Sequence, residues 1–450
     1  MFRLRRARGW QILLAPLLAL AVGLMAPTGP TLAAREGVGT EDTGGPEPTA
    51  QTSRPGAESQ SPTEVIIIGT MHSGQLVAES MSPARIRALL NRIDPAAVGI
   101  ETVPEWYERG IFFEIAYESY GVAVPWAREK GRDIWPIDWQ WPADWQGMRE
   151  ALDWPRTEVM EPNFLPFLPD LYASRPEEFP DLLFADSPVF TAGAWGYYSL
   201  PRFSPQSDAL RRYMTWRNLH MARRIADMAR AYPGGRVVVL VGALHKPDLD
   251  TFLATVPGIV VRQASEWGTP SAEEVAAEVR RPDLLAILWF NLAGKRADLH
   301  PDKVDLVRMD ELLRRLEGET PEDPEVRFLR ARWLMMAGRA EEGVAALRDL
   351  AWGSPWPDRP FTYPNRSLAE SHHAYLQEYG PPAYAQRELG LGGVLSPISN
   401  LTVRQRVLYE LARQQVEPQA AVRAREELLT AAGLNGTQRE EMERLLGPIR

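Results

Sequence analysis

Two apolar runs along the chain each end in glycine, two further residues and a histidine. The first is residues 65–72 (VIIIGTMH) and the second is residues 237–245 (VVVLVGALH). Runs of β-branched and aliphatic residues of this length predict buried strands. We therefore predict that each strand delivers an imidazole just past its carboxyl end, the edge at which open α/β sheets hold their sites.

The stretch after the first run predicts a helix and a second strand. Ser82 gives an N-cap and Pro83 a first helical residue. A second apolar strand, residues 96–100, ends at Glu101. A right-handed crossover makes the two strands parallel, so His72 and Glu101 are expected at the same edge of the sheet. The apolar face of the helix carries Ile86, Leu89, Leu90 and Ile93.

Residues 102–206 are less regular. Residues 111–131 predict a helix, and residues 133–139 (DIWPIDW) predict a short strand and turn that carry Asp138. The stretch from there to Gln206 is rich in tryptophan and proline. It fits a lid or an aromatic substrate cleft, but the preferred interpretation is a loop-rich insertion whose tryptophans cover apolar surface.

A long amphipathic helix is predicted over residues 207–231. A polar position, Arg217 or Asn218, interrupts its apolar stripe between Met214 and Met221. The arginine stem could pack while its head reaches water, or its guanidinium could point into a site. The strand over residues 236–241 follows this helix.

The C-terminal part, residues 269–450, predicts a helical accessory domain. Val326, Leu329, Trp333 and Met336 share one helix face, Gly338 turns the chain, and a second helix follows. This pair resembles a tetratricopeptide-type unit. Residues 64–268 form the predicted α/β domain, with a mixed or mostly parallel sheet flanked by helices.

The N-terminus has the three parts of a secretory signal. Residues 1–34 carry four arginines, an apolar run and small residues ending in TLAA. Residues 35–63 are rich in Gly, Pro, Ser, Thr and Glu, as in a disordered linker. We predict a secreted or periplasmic, extracytoplasmic protein, associated with a membrane only if the signal is not cleaved.

Charge and cysteine content exclude several classes of function. A formal net charge of -9 offers no basic surface for nucleic acid. The chain has no cysteine, which excludes disulfides, thiolate chemistry and cysteine-type zinc sites. Zinc-protease, nucleophile-elbow and Walker A motifs are absent from the sequence.

Two histidines and a carboxylate at strand ends are the ligand types of a catalytic metal centre. The predicted ligands are His72, Glu101 and His245, and a bound divalent ion would activate water and polarise a carbonyl. Gly69 and Gly242, which precede the histidines, would let the backbone approach an ion or substrate closely.

Four motifs resemble those of the TraB/Tiki/ChaN-like superfamily, which includes the erythromycin esterases. They are GTMH at 69–72, GIE at 99–101, WRNLHMA at 216–222 and GALH at 242–245, in the family's order. The resemblance covers about residues 64–250 and implies a Tiki/ChaN-like α/β core with internal pseudo-symmetry. Several members have a glutamate where this chain has Trp216. Tiki-like members are metal-dependent peptidases, the esterases open macrolide lactones, and ChaN-like members bind haem.

The leading hypothesis is a secreted hydrolase of peptides or esters that uses manganese, cobalt or zinc. Without metal, the same histidines and Glu101 would activate water directly. Arg217 would orient a carboxylate or stabilise the oxyanion, and Glu105 or Asp138 would handle protons. One alternative is a non-catalytic protein that binds haem, through His72 or His245, or another small ligand. A further one is a scaffold whose residues 269–450 bind a protein partner.

Overall fold

The computed structural model describes residues 61–110, 112, 116–139, 168–199, 205–353, 355–363, 401–414, 416–431 and 436–447. The predicted signal peptide lies outside these residues, as does nearly all of the linker. So do Trp141, Trp145 and Trp154. The described part belongs to one compact unit.

The centre of the molecule is a five-stranded parallel sheet, which confirms the predicted α/β class. Its strands are β1 (Thr63–Thr70), β2 (Ala97–Ile100), β3 (Asp133–Pro136), β4 (Arg236–Gly242) and β5 (Ile259–Arg262), in the order β3-β2-β4-β1-β5. β1 and β2 are parallel, as the crossover rule predicts, but β4 lies between them. Thr70 pairs with Gly242 in this register, so the histidine loops after β1 and β4 leave the sheet side by side.

Helices cover both faces of the sheet, and alternate strand residues point to each. The first half contributes α1 (Pro83–Ile93), α2 (Pro104–Glu108), α3 (Val124–Lys130), α4 (Pro188–Ser199), α5 (Pro205–Ala231) and α6 (Lys246–Leu253). Ile66, Val98 and Leu240 face the core that includes α1. Ile67, Val239 and Val241 face α5 and α6. This alternation is why both faces of each central strand are apolar.

The predicted start of α1 is confirmed in position but not in its capping contact. Pro83 is the first helical residue, and Ser82 occupies the N-cap position without accepting a side-chain hydrogen bond. The helix ends at Asp94, which adopts a left-handed conformation with φ of 47°. The N-terminal boundary of α1 is therefore set by Pro83. Its fixed φ suits the first helical position, and its missing N–H costs nothing there.

The described residues of the C-terminal half are mainly helical, as predicted. It comprises α7 (Ala272–Ala277), α8 (Arg281–Leu292), α9 (Lys295–Leu299), α10 (Leu306–Glu319), α11 (Pro324–Met336), α12 (Ala340–Trp352), α13 (Val403–Ala412), α14 (Pro418–Ala431) and α15 (Gly436–Leu446). The pair α11 and α12 turns at Gly338, whose φ is 82°. Leu288 of α8, Leu329 of α11 and Val407 of α13 belong to the same buried cluster as Ile66. The division into separate domains at residues 268 and 269 stays a prediction.

Helices long and apolar enough to cross a bilayer do not occur within the described residues.

Candidate active site

His72 begins a short 3-10 turn directly after β1, at the carboxyl edge of the sheet. Its φ is 49°, which is a left-handed conformation. Among the described residues, His72 and Asp94 are the two non-glycine residues with a positive φ. A non-glycine residue in this region is strained, and such strain concentrates at functional sites. The side chain is 28% exposed, so it lies at the surface of the edge.

A buried carboxylate orients the imidazole of His72. Its Nδ1 atom lies 2.8 Å from Oε1 of Glu118, and Nε2 of Gln75 donates to the other carboxylate oxygen at 2.9 Å. Burial opposes protonation of His72, but the charge and hydrogen bond of Glu118 outweigh it and raise the pKa of His72 to about 9. The second ring nitrogen, Nε2, forms no hydrogen bond with any other described residue.

Glu101 follows β2 and faces the loop after β4. Its Oε2 atom accepts a hydrogen bond from the backbone N–H of Gly242 at 2.6 Å, and its Oε1 atom accepts one from Nη2 of Arg217 at 2.8 Å. Burial disfavours the charged carboxylate, but His245 and Arg217 hold the pKa of Glu101 well below its usual range. Glu101 is therefore a fixed negative charge at this edge.

Arg217 of α5 connects the ends of three strands. Its Nε and Nη2 atoms donate to the two oxygens of Asp138 at 2.7 and 2.8 Å, and Nη2 also donates to Glu101. Asp138 is fully buried just beyond β3. The bidentate pair fixes both the position and the plane of the guanidinium. Periodicity left the role of Arg217 open; the structure directs its head into the site.

His245 is held on both sides. Its Nε2 atom lies 3.2 Å from Nη1 of Arg217, and its Nδ1 atom lies 2.5 Å from Oδ1 of Asn218. Oε1 of Glu101 lies 3.3 Å from the same Nε2 atom, so this nitrogen faces both a guanidinium and a carboxylate. The amide nitrogen of Asn218 donates to Asp248 at 2.8 Å, which turns its oxygen towards His245. We call Glu101, Asp138, Arg217 and His245 the strand-end cluster.

The two glycines of the GxxH motifs allow close packing within the protein. A Cβ atom on Gly242 would lie 2.6 Å from Nε2 of His72 and 3.4 Å from Oε2 of Glu101. One on Gly69 would lie 2.6 Å from Cβ of Ala185. Gly242 therefore gives room to the His72 ring, whereas Gly69 gives room to the segment packed over β1. The close approach predicted for an ion or substrate is, in this structure, an approach of other side chains.

The structure brings together all the predicted site residues except one. Glu105 is exposed on α2, and its charge acts on Arg224 of α5. Asp138 orients Arg217 and also accepts from the backbone N–H of Trp139 at 2.7 Å. Its contacts are thus those of a positioning residue.

Sequence reasoning missed Glu118 and Gln75 and left Asn218 undecided. Glu118 starts a π-helical turn, Glu118–Ala123, within the predicted helix. A fully buried glutamate in an apolar segment is uncommon unless it is paired. That signal was readable, but its partner lies 46 positions earlier in the sequence.

An aromatic stack borders the strand-end cluster. The rings of Trp139 and His220 lie 4.5 Å apart and nearly parallel, and Trp216 lies 5.5 Å from Trp139. Trp139 and Trp216 adjoin Asp138 and Arg217 in sequence, and Trp216 is 38% exposed. The stack therefore forms an aromatic surface beside the site.

Comparisons of the chain with family models, curated proteins and solved structures returned no match.

Proposed function

We propose that the chain is a hydrolase of amide or ester bonds in which His72, oriented by Glu118, activates the attacking water. The observation that carries this is the hydrogen bond between Nδ1 of His72 and the buried Glu118 carboxylate. A carboxylate on one ring nitrogen sets the tautomer and leaves the other nitrogen to exchange protons. That nitrogen, Nε2, lies against Gly242 and Glu101 at the strand edge.

The proposed reaction needs no other proton carrier. Nε2 of neutral His72 takes a proton from water while the water oxygen bonds to the carbonyl carbon. The tetrahedral intermediate then collapses, and the proton on Nε2 passes to the leaving nitrogen or oxygen. Glu118 stabilises the imidazolium that forms between these steps. Arg217 is already bound to Glu101 and Asp138, so its role in this proposal is to hold Glu101 in place rather than to stabilise the oxyanion.

The predicted three-ligand metal centre does not fit the donor atoms as they stand. Nε2 of His245 and Oε1 of Glu101 both contact Arg217, at 3.2 and 2.8 Å. A cation bound by His72, Glu101 and His245 would have to displace the guanidinium, which Asp138 holds by two hydrogen bonds. Groups of three metal-ligating side chains were not found among the described residues. The proposed reaction therefore proceeds without a metal.

Three further features support water chemistry over haem binding at this edge. A cavity of about 10 Å³ is lined in part by His72, Thr70 and Gln75, which is close to the volume of one water. Oε1 of Gln75 is buried and has no hydrogen-bond partner. His245 has both ring nitrogens engaged and so offers no axial ligand to haem iron.

We also propose a distant relationship to the TraB/Tiki/ChaN-like superfamily. The parallel sheet and the side-by-side loops after β1 and β4 support it. The proposed site of action is outside the cytoplasm, on the evidence of the N-terminal sequence. A protein partner for residues 269–450 stays a prediction.

A substrate panel tests the proposed function. The full chain is assayed against p-nitrophenyl esters and peptide p-nitroanilides, beside His72→Gln and the control His300→Gln. His300 lies next to α9, outside the site. We expect turnover by the wild type and by His300→Gln, and a loss of about 10²- to 10⁴-fold in His72→Gln. Wild-type turnover by His72→Gln, or an inactive wild type across the panel, would contradict the proposal.

A further inference from the structure

A second arginine of α5, Arg224, lies two helical turns beyond Arg217. Seven residues make almost two full turns, so both arginines lie on nearly the same face, about 10 Å apart along the axis. Arg224 is partly buried. It sits at the border between the face of α5 that packs on the sheet, through Met221 and Ile225, and the side that carries His220.

The two arginines differ in their partners. Arg217 donates to two carboxylates, whereas Nη1 of Arg224 is buried without a hydrogen-bond partner. Nearby carboxylates do not supply one: Asp138 is bound to Arg217, and Glu105 influences Arg224 by charge alone. A buried donor without an acceptor is destabilising, and evolution usually provides a partner. In the described part of the chain that partner is missing.

The aromatic stack occupies the interval between the two arginines. His220 lies three residues after Arg217 and four before Arg224, and Trp139 stacks on it at 4.5 Å. Burial, together with the charges of Arg223 and Arg224, lowers the pKa of His220, so this ring is neutral near pH 7. A neutral aromatic surface thus leads from the strand-end cluster to an unpaired cation.

We propose that Arg224 binds a carboxylate of the substrate, about 10 Å along α5 from Arg217 at the edge of the sheet. Guanidinium groups bind carboxylates through two parallel hydrogen bonds, which would give Nη1 its acceptor. An extended chain spans about 3.3–3.6 Å per residue, so the carboxylate lies at least about three residues from the scissile bond. The substrate class is an acidic peptide, or an amide or ester of similar length that bears a carboxylate. This inference rests on the proposed function for the position of the scissile bond.

Equilibrium binding tests the inference without requiring turnover. Two probes are used, succinyl-dialanine methylamide and acetyl-dialanine methylamide, which differ by one carboxymethyl group that places a carboxylate at the required distance. Their dissociation constants are measured by calorimetry on the full chain carrying His72→Gln, which leaves Arg224 intact. Arg224→Gln and Arg224→Lys are then added to this background. Arg223→Gln is the matched control, because Arg223 is the exposed neighbour in the same helix.

We expect the succinyl probe to bind about tenfold more tightly than the acetyl probe, since the contact is charge-assisted. Arg224→Gln should reduce this preference to about one, Arg224→Lys should retain part of it, and Arg223→Gln should retain all of it. Equal binding of both probes, or a preference that survives Arg224→Gln, would overturn the inference. If Arg224→Gln does not fold, as judged by circular dichroism, Arg224→Lys decides: an undiminished preference there also overturns it. The binding result can be interpreted even if no substrate of the panel is hydrolysed, because it does not depend on turnover.

Discussion

Nδ1 of His72 lies 2.8 Å from Oε1 of Glu118, and this contact joins the end of β1 to a π-helical turn 46 residues later. Glu118 is fully buried, and His72 is the positive partner at the surface of the sheet edge. The pair orients the ring and also couples the stability of the fold to the protonation of His72.

Stability should fall as pH rises through the titration of His72. The pKa of His72 is raised from 6.5 to about 9 in the folded chain, so the contribution is fully present below pH 6.5 and is lost as pH rises through about 9. We expect the free energy of unfolding gained from this pair to fall by about 1–3 kcal/mol. Urea unfolding of wild type and Glu118→Gln at each end of that window measures it. An equal difference between the two proteins at both pH values would contradict the coupling.

Removal of the Arg217 guanidinium should destabilise the chain strongly. Arg217→Met leaves Glu101 and Asp138 buried without their cation, which typically costs about 3–5 kcal/mol. Arg217→Lys should be intermediate, because an ammonium keeps the charge but cannot form the bidentate pair. The control is Arg223→Met, an exposed position of the same helix. A similar free energy of unfolding for Arg217→Met and the control would show that the strand-end cluster does not stabilise the fold.

A methyl group on Gly242 should impair the site. The added Cβ would lie 2.6 Å from Nε2 of His72, so the ring must move away from its position beside Glu118. We expect kcat/KM on a substrate from the panel to fall at least tenfold in Gly242→Ala, by a misplacement effect. Gly196→Ala is the matched control, because its Cβ would meet no atom within 4 Å. Full activity of Gly242→Ala would show that the ring position does not matter.

The metal content of the protein distinguishes metal-dependent hydrolysis from direct activation of water by histidine, the two mechanisms that the sequence allows. Because Arg217 engages both Glu101 and His245, we expect less than one ion per chain and activity that survives a chelator. Elemental analysis is made on wild type and on the His72→Ala/His245→Ala double variant, after incubation with manganese, cobalt and zinc. Near-stoichiometric metal in the wild type, lost in the double variant, would favour the metal centre instead.

The strands that carry the site could be predicted from the sequence, because they follow from local hydrophobic patterns and connection geometry. Strands buried on both faces read as unbroken apolar runs, which locates β1, β2 and β4. Crossover handedness places His72 and Glu101 at one edge. The insertion of β4 between β1 and β2 does not follow from these rules, since strand order depends on packing between distant segments.

The remaining site residues needed tertiary information. The polar interruption of the α5 stripe identified Arg217 and Asn218 as candidates, but periodicity could not tell a packed stem from a directed guanidinium. Glu118 could be noticed as a charged residue in an apolar segment, but its partner His72 lies 46 residues earlier in the sequence, too far for local rules to connect them. The metal prediction treated Glu101 and His245 as open ligands, whereas a side chain from another element engages both.

The most direct test of the central claim is the pH dependence of kcat/KM, measured beside the pKa of His72 by NMR. A base must be deprotonated to act, so the rate should rise with pH and level off above about 9. Glu118→Gln should lower the pKa of His72 measured by NMR. The rise of kcat/KM with pH should move to lower pH by the same amount. A rate that does not change between pH 6.5 and 9, or a rise that stays in place when the pKa moves, would contradict the role of His72 as the base.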